Sequence, residues 1–369
     1  MASGKKRLNL LKATKHDEYC PLDYKLIKEI GIQTVREGLA WSRIDKGQGY
    51  YNFSLFDPIL QAGKEEGIQQ IWDLNHFDYP ISVDPFSPEF ITRFAEYARR
   101  AVAYIRKYQT DTLYIVPINE ISFFAWIGAD TGHWAPYKKG SKNGFAFKKQ
   151  LVLASIAAMD AMRKEDNNIR FILVDPFMRR YAKPPASKKA QAHVNEFNNK
   201  IRYEAWDMLC GKKYPELGGD PKYLDIIGVN YYQHNQEWVL SSKKYPTRIR
   251  HRLMSWESPD RVSFADMLRE IHQRYNKPMV VSETGSVGRK RLRWWKRVLA
   301  EVADAIKEGL PVYGVCSYPT VDRPHDAGFL LPNSGLWDFE DEDASCRRIP
   351  HTKTLQFLKN FQSPSSLSK

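Results

Sequence analysis

The chain is divided by short runs of aliphatic and β-branched residues, with amphipathic helical stretches between most of them. Runs of that kind need burial on both faces. A helix between consecutive runs makes the strands parallel and supplies the outer cover. Strands are expected at about residues 33–36, 68–74, 112–118, 169–174, 224–229, 279–282 and 312–316. Helices are expected over 22–30, 56–66, 88–108, 147–163, 195–209, 264–275 and 292–307. Gly31, Gly67 and Gly309 stop three of these helices, and Ser87-Pro88-Glu89 opens another. Residues 176–192, with Pro184-Pro185 and a lysine cluster, read as a long loop, and 236–258 as an aperiodic excursion. Residues 1–362 read as one domain and 363–369 as a disordered tail.

A (β/α)8 TIM barrel accounts for this order and for a length of 369 residues. Only seven strands are clear, however. The eighth should precede the helix at 22–30, where Arg7-Leu-Asn-Leu-Leu11 is a weak candidate. The expectation therefore includes an incomplete or open barrel. Its exposed edge would need cover from a loop, a tail, a second copy of the chain or another partner chain.

Composition narrows the class of function. Hydrophobic residues make up 43%, with 10 Trp, 20 Tyr and 18 Phe, enough for a large core with rings left over for a groove. The net charge of +13 gathers around Arg179-Arg180…Lys188-Lys189, Lys243-Lys244…Arg252 and Arg289-Lys290-Arg291…Arg297. These clusters read first as solvated faces and second as a preference for an acidic ligand. No finger, recognition-helix or RNA-module pattern accompanies them, so no specific nucleic acid is expected. Cys20, Cys210, Cys316 and Cys346 form no C-x-x-C and suggest free thiols. The apolar run near the start is too short for a signal peptide, and no segment has transmembrane length. A cytoplasmic protein is the expectation. No glycine-rich nucleotide loop, H-E-x-x-H or G-x-S-x-G occurs, and nothing calls for a nucleotide, flavin or metal cofactor.

Two glutamates carry the chemical argument. Glu120 ends Tyr114-Ile-Val-Pro-Ile-Asn-Glu120, and Glu283 falls in Met279-Val-Val-Ser-Glu-Thr-Gly285. Both follow apolar strands, and strand ends of a (β/α) barrel converge on its catalytic face. Two carboxylates brought together there are the minimum equipment for glycosidic-bond chemistry.

The order of the strand ends resembles the glycoside hydrolase clan with catalytic glutamates after the fourth and seventh strands. Within that clan it resembles the family-1 β-glucosidase group and its shorter bacterial relatives. The resemblance runs through Thr34-Val-Arg-Glu-Gly-Leu-Ala-Trp-Ser-Arg-Ile44, Leu74-Asn-His-Phe-Asp-Tyr-Pro80, Asn119-Glu120, Gly228-Val-Asn-Tyr-Tyr232 and Ser282-Glu-Thr-Gly285. It implies a retaining β-glycosidase with Glu283 as nucleophile and Glu120 as acid/base. It also implies that Arg36 and Tyr232 support the nucleophile, while His76 and Asn119 meet sugar hydroxyls. A retaining mechanism implies carboxylates about 5–5.5 Å apart. Tyr318 stands where the family has its eighth-strand tryptophan, Trp337 near its later sugar-binding pair, and Ile121 where it usually has proline. The family's first strand, with its sugar-binding glutamine, is missing.

Taken singly, Arg36 also fits an ordinary buried ion pair, His76 a satisfied core histidine and Tyr232 simple packing. Trp41, Trp126, Trp134, Tyr318 and Trp337 are candidate sugar platforms, and Asp73, Asp175 and Asp322 candidate supports. The expected partner is a carbohydrate or glycoside, neutral or acidic. A transglycosylase, and a sugar-binding or scaffolding protein on a glycosidase-derived barrel, are the alternative readings.

Overall fold

In the computed structural model, which describes residues 2–3, 6–241, 249–324, 333–339 and 345–362, the seven expected strands form one parallel sheet. Along the chain come β1 (Thr34–Gly38), β2 (Gln69–Asp73), β3 (Leu113–Val116), β4 (Ile169–Pro176), β5 (Arg179–Ala182), β6 (Ile226–Asn230), β7 (Gln236–Ser241), β8 (Ile249–Leu253), β9 (Met279–Thr284) and β10 (Val312–Ser317). The large sheet runs β1-β2-β3-β4-β6-β9-β10, and every neighbour pair is parallel. β5, β7 and β8 form a separate three-stranded sheet.

The helices are α1 (His16–Glu29), α2 (Asp57–Glu66), α3 (Pro88–Ile105), α4 (Ser141–Glu165), α5 (Lys188–Asn199), α6 (Glu204–Leu209), α7 (Phe264–Tyr275), α8 (Arg291–Lys307) and α9 (Thr352–Phe361). The period-2 alternation of the strands sorts their side chains into two layers. Ile115, Phe171, Leu173, Ile227 and Val281 join the large core that includes the helices. Val116, Ile172, Val174 and Ile226 form a second, smaller cluster with Ile71, Tyr114 and Val280 packed against it. Arg36 sits opposite Ile71 in the β1–β2 register, so it rises from the same face as that smaller cluster. Space there is tight: a Cβ on Gly228 would lie 2.6 Å from Val174 and 2.9 Å from Ser282.

The barrel is not sealed. β1 and β10 are the two ends of the sheet, and no described strand pairs between them. Arg7–Leu11 does not supply the missing strand. Among the described residues Lys6–Arg7 pairs only with Ala2–Ser3, and Leu10–Ala13 turns into a short helix of good helix formers.

Charge fastens α1 to the open edge instead. His16 Nδ1 lies 2.7 Å from Asp23 and Nε2 3.2 Å from Glu37 of β1. Glu37 also accepts from the Tyr24 hydroxyl at 2.8 Å. Arg348 donates to both Asp23 oxygens at 2.7 Å.

Other elements differ from the sequence reading. The expected loop at 176–192 contains β5 and the start of α5. β5 is held by Arg180 paired to Glu237 of β7 at 2.6 Å, and α5 is capped by Ser187, which accepts the Ala190 N–H. Both depend on partners distant in sequence or on a cap lost among polar neighbours. The helix expected over 195–209 is two helices, α5 and α6. α1 begins at His16 and α4 at Ser141, both earlier than apolar periodicity suggests. The excursion at 236–258 contains the antiparallel pair β7–β8. α9 was not anticipated. The tail at 363–369 and the basic residues Lys243, Lys244 and Arg248 lie outside the described residues.

Two stability predictions follow from the α1 clamp. Burial opposes charge on His16, but the Glu37 and Asp23 carboxylates prevail and push its pKa up to about 10. A pKa raised on folding gives stability that is complete below the unfolded value of 6.5 and is lost as pH rises through about 10. The urea midpoint of the wild type should therefore fall more between pH 6.5 and pH 10 than that of His16→Asn; parallel declines would contradict the clamp. Arg348→Ala leaves the buried Asp23 half-compensated and should cost about 3 kcal/mol in urea unfolding at pH 7.

Candidate active site

The ends of β1, β2, β3, β6 and β9 bring their polar residues to one place. Glu120 follows β3 and begins the short helix Ile121–Ala125. Its φ is +48°, a conformation that costs a non-glycine residue energy. The neighbouring backbone pins it: the Glu120 N–H donates to Val174 O at 3.0 Å, and the Asn119 N–H to Asn75 O at 2.9 Å. Glu283 lies within β9 and its carbonyl accepts the Tyr231 N–H at 2.9 Å. Gly285, just beyond, leaves room for the Tyr318 carbonyl, which would lie 2.2 Å from a Cβ.

Arg36 is the hub. Nη2 donates to Glu283 Oε1 at 2.5 Å, Asn119 Oδ1 at 3.0 Å and Asp73 Oδ2 at 3.1 Å, while Nη1 donates to Ser282 O at 3.1 Å. Burial opposes its charge, but Glu283 and Asp73 outweigh burial and raise its pKa. Tyr232 donates its hydroxyl to the other Glu283 oxygen at 2.8 Å. Burial, with Glu283 adding, holds that phenol well above its ordinary pKa, so it remains a donor.

His76 Nδ1 lies 2.8 Å from Asp73 Oδ2. With that nitrogen donating to the carboxylate, Nε2 is left to accept from the Asn119 amide at 3.4 Å.

Among the described residues no cation pairs with Glu120. Asn230 donates to Glu120 Oε1 at 2.8 Å, and the Ser282 hydroxyl fixes the Asn230 amide from behind at 2.7 Å. Burial pushes the Glu120 carboxyl well above its usual range, and the charge of Glu283 pushes it further. Nearby Asp175 is raised to about 6 by burial while it accepts the Ser122 N–H at 2.9 Å.

The structure thus joins Glu120, Glu283, Arg36, His76, Asn119 and Tyr232 in one network. Tyr318 stands beside it, with its ring 6.1 Å from that of His76. Trp337 does not stand there as a platform: it is 3% exposed within the large core. Trp41 is also core, packed on Phe90, Phe94 and Tyr97. Trp126 is exposed beside Phe123, and Trp134 packs against Phe77 and Phe123. Asp322 accepts backbone N–H groups from Asn333, Ser334, Gly335 and Phe339 and so organises a loop.

The sequence reading assigned no role to Asn230 or Ser282; their only signal was a polar residue at the end of a buried strand. Among the described residues, basic side chains other than Arg36 do not gather on the glutamates. Arg179 and Arg180 pair with Glu270 and Glu237, while Arg252, Arg289, Lys290 and Arg293 line a separate surface cleft. Among the described residues no group of His, Cys, Asp and Glu could hold a metal ion, and no helix is long and apolar enough to cross a membrane.

The profile of glycosyl hydrolase family 1 matches residues 7–218. Beta-glucosidase 25 of Oryza sativa subsp. japonica is 23% identical, over 91% of this chain and 81% of its own. The AHE enzyme from Alicyclobacillus herbarius superposes with a TM-score of 0.79 at 20% identity, covering 96% of this chain and 88% of that one. The family 1 β-glucosidase from Thermotoga maritima gives 0.77 at 18% identity, covering 94% and 86%. The class defined here is the retaining glycoside hydrolases built on a (β/α) barrel, with a seam left open between β1 and β10. The chain belongs to glycosyl hydrolase family 1. It is a retaining β-glycosidase, acting on β-glycosides by double displacement.

Removing the amide that steadies the Glu120 carboxylate has a readable consequence. A general acid at Glu120 would lose its proton as pH rises through its raised pKa and so set the alkaline limb of kcat/KM. Asn230 lowers that pKa, so Asn230→Ala should move the alkaline limb to higher pH. It should also reduce kcat/KM at pH 7 by about tenfold, the cost of one hydrogen bond to a charged group. An unmoved limb in a pH–rate profile would remove Asn230 from this role.

Proposed function

We propose that Glu283 is the nucleophile of the double displacement and Glu120 the general acid that then turns base. The observation that carries this assignment is the unlike surroundings of the two carboxylates. Both oxygens of Glu283 are occupied by donors, one of them a guanidinium, whereas Glu120 is buried against a neutral amide and raised in pKa. Two neighbouring carboxyl groups in surroundings this unlike are suited to acid and nucleophile roles.

In the first step Glu283 attacks the anomeric carbon while Glu120 gives its proton to the leaving oxygen, leaving a glycosyl ester. In the second step Glu120 takes a proton from water, which attacks the same carbon and frees Glu283. Asn119 and His76, held by Arg36 and Asp73, are placed to bond hydroxyls of the sugar. Tyr318 offers a flat ring beside them. The four free cysteines support a cytoplasmic setting for this chemistry.

The decisive experiment is covalent trapping. A panel of 2-deoxy-2-fluoro β-glycosides of glucose, galactose, mannose and xylose with a dinitrophenolate leaving group is incubated with the protein. Intact mass and peptide mapping should show one sugar on the Glu283 peptide, and none on Glu283→Gln. An adduct on another residue, or none from any sugar, would overturn the assignment.

Glu120→Gln separates the second role. Its kcat/KM should fall by about 10²–10⁴ on glycosides with poor leaving groups, the worth of a positioned acid. The loss should shrink sharply for dinitrophenyl glycosides, whose leaving group needs no proton. An equal loss on both would refute the acid role.

A further inference from the structure

The unsealed seam opens into the site. A cavity of about 350 Å³ runs from Arg36, His76, Glu283 and Tyr318 outward between β1 and β10. Its walls are Leu8 and Leu11 of the N-terminal segment, Ile27 of α1, Ile32 and Val35 at β1, and Val315 of β10. The nucleophile is on its lining. Glu120, Asn119 and Tyr232 are not. The cavity therefore departs from the site on the side of the nucleophile, away from the acid that serves the leaving group.

The charged groups at its outer end are already paired. His16, Asp23 and Glu37 are paired with one another and with Tyr24 and Arg348. Of the remaining lining cations, Arg43 is exposed and Arg323 is held over the Tyr318 ring at 5.4 Å. The backbone N–H of Arg36 on β1 meets the Cys316 thiol of β10, so a side chain bridges the two edge strands at that level.

We propose that this seam cavity is a side pocket of the sugar subsite, and that the protein acts on glycosides whose sugar carries an apolar acyl or alkyl substituent. The inference rests on the retaining-glycosidase reading above. The transferred sugar is bound by Arg36, His76 and Glu283, the residues at the inner end of the cavity. A substituent on one of its hydroxyls leads outward between Val35 and Val315 toward Leu11, and its burial there adds to transition-state binding.

The test uses the 4-nitrophenyl β-glycosides of glucose, galactose, mannose and xylose, each unsubstituted, as its mono-O-butanoyl esters and as its mono-O-hemisuccinoyl esters. At least one butanoyl ester should exceed its parent in kcat/KM by about tenfold or more, the worth of burying a short alkyl chain. Leu11→Trp and Ile32→Trp fill the pocket from two separate positions on its lining. Either should abolish that advantage while leaving kcat/KM on the unsubstituted parent within about twofold, well below the tenfold or more that a single buried methylene can be worth.

Unsubstituted parents favoured throughout, with trapping of Glu283 intact, would overturn this inference and leave the glycosidase reading standing. Preference for the hemisuccinoyl esters would overturn the apolar character of the pocket. A change of oligomeric state in both filled variants, read by light scattering, would assign the cavity to a strand from a second copy and also overturn it. Absence of trapping and turnover with every compound would remove the glycosidase reading and this inference together.

Discussion

The Arg36 guanidinium is the interaction on which the site and the barrel both depend. One side chain on β1 reaches across the interior to Glu283 and Ser282 on β9, and to Asp73 and Asn119 at the ends of β2 and β3. Buried carboxylates at Asp73 and Glu283 are tolerable because a cation lies between them. That single placement also creates the chemical asymmetry of the site. Glu283 takes the cation and the Tyr232 hydroxyl, and Glu120 is left with burial, a neutral amide and the repulsion of its partner. A carboxylate in the first setting is ready to attack. A carboxyl in the second is biased toward its protonated form.

The same arginine bears on the missing strand. A closed barrel ties its first and last strands by a backbone ladder, which is absent between β1 and β10. Here β1 is held by its ladder with β2, by Arg36 reaching inward to β9, and by Glu37 reaching outward to His16 and Tyr24 of α1. Adjacent residues of one strand point to opposite faces, so Arg36 and Glu37 serve the interior and the helix layer respectively. The result is a barrel wall secured by side chains where it lacks main-chain pairing. The apolar space beside it joins the site directly.

The parallel strand–helix alternation, the seven strand positions and both glutamates are legible in the chain because each depends on local pattern. A buried parallel strand is a short aliphatic run, and its C-terminal end is marked by the first polar residue after it. What escaped notice lacks a local signature. β5 exists through its pairing with β7 and the Arg180–Glu237 bridge. The early start of α1 is settled by His16 meeting Asp23 and Glu37. Asn230 and Ser282 acquire meaning only through Glu120, which is remote from both in sequence.

By itself, then, the sequence determined the parallel α/β class, the order of the strands and the residue types at their ends. These follow from hydrophobic periodicity and the turn residues that interrupt it. The tertiary structure decided which end residues share a cavity, that Trp337 is core whereas Tyr318 stands beside the sugar site, and that the gap before β1 is a cavity rather than a strand. The reason is physical. Distances between remote side chains, the burial that raises the pKa of Glu120 and the seam between the first and last strands arise only when the sheet curls.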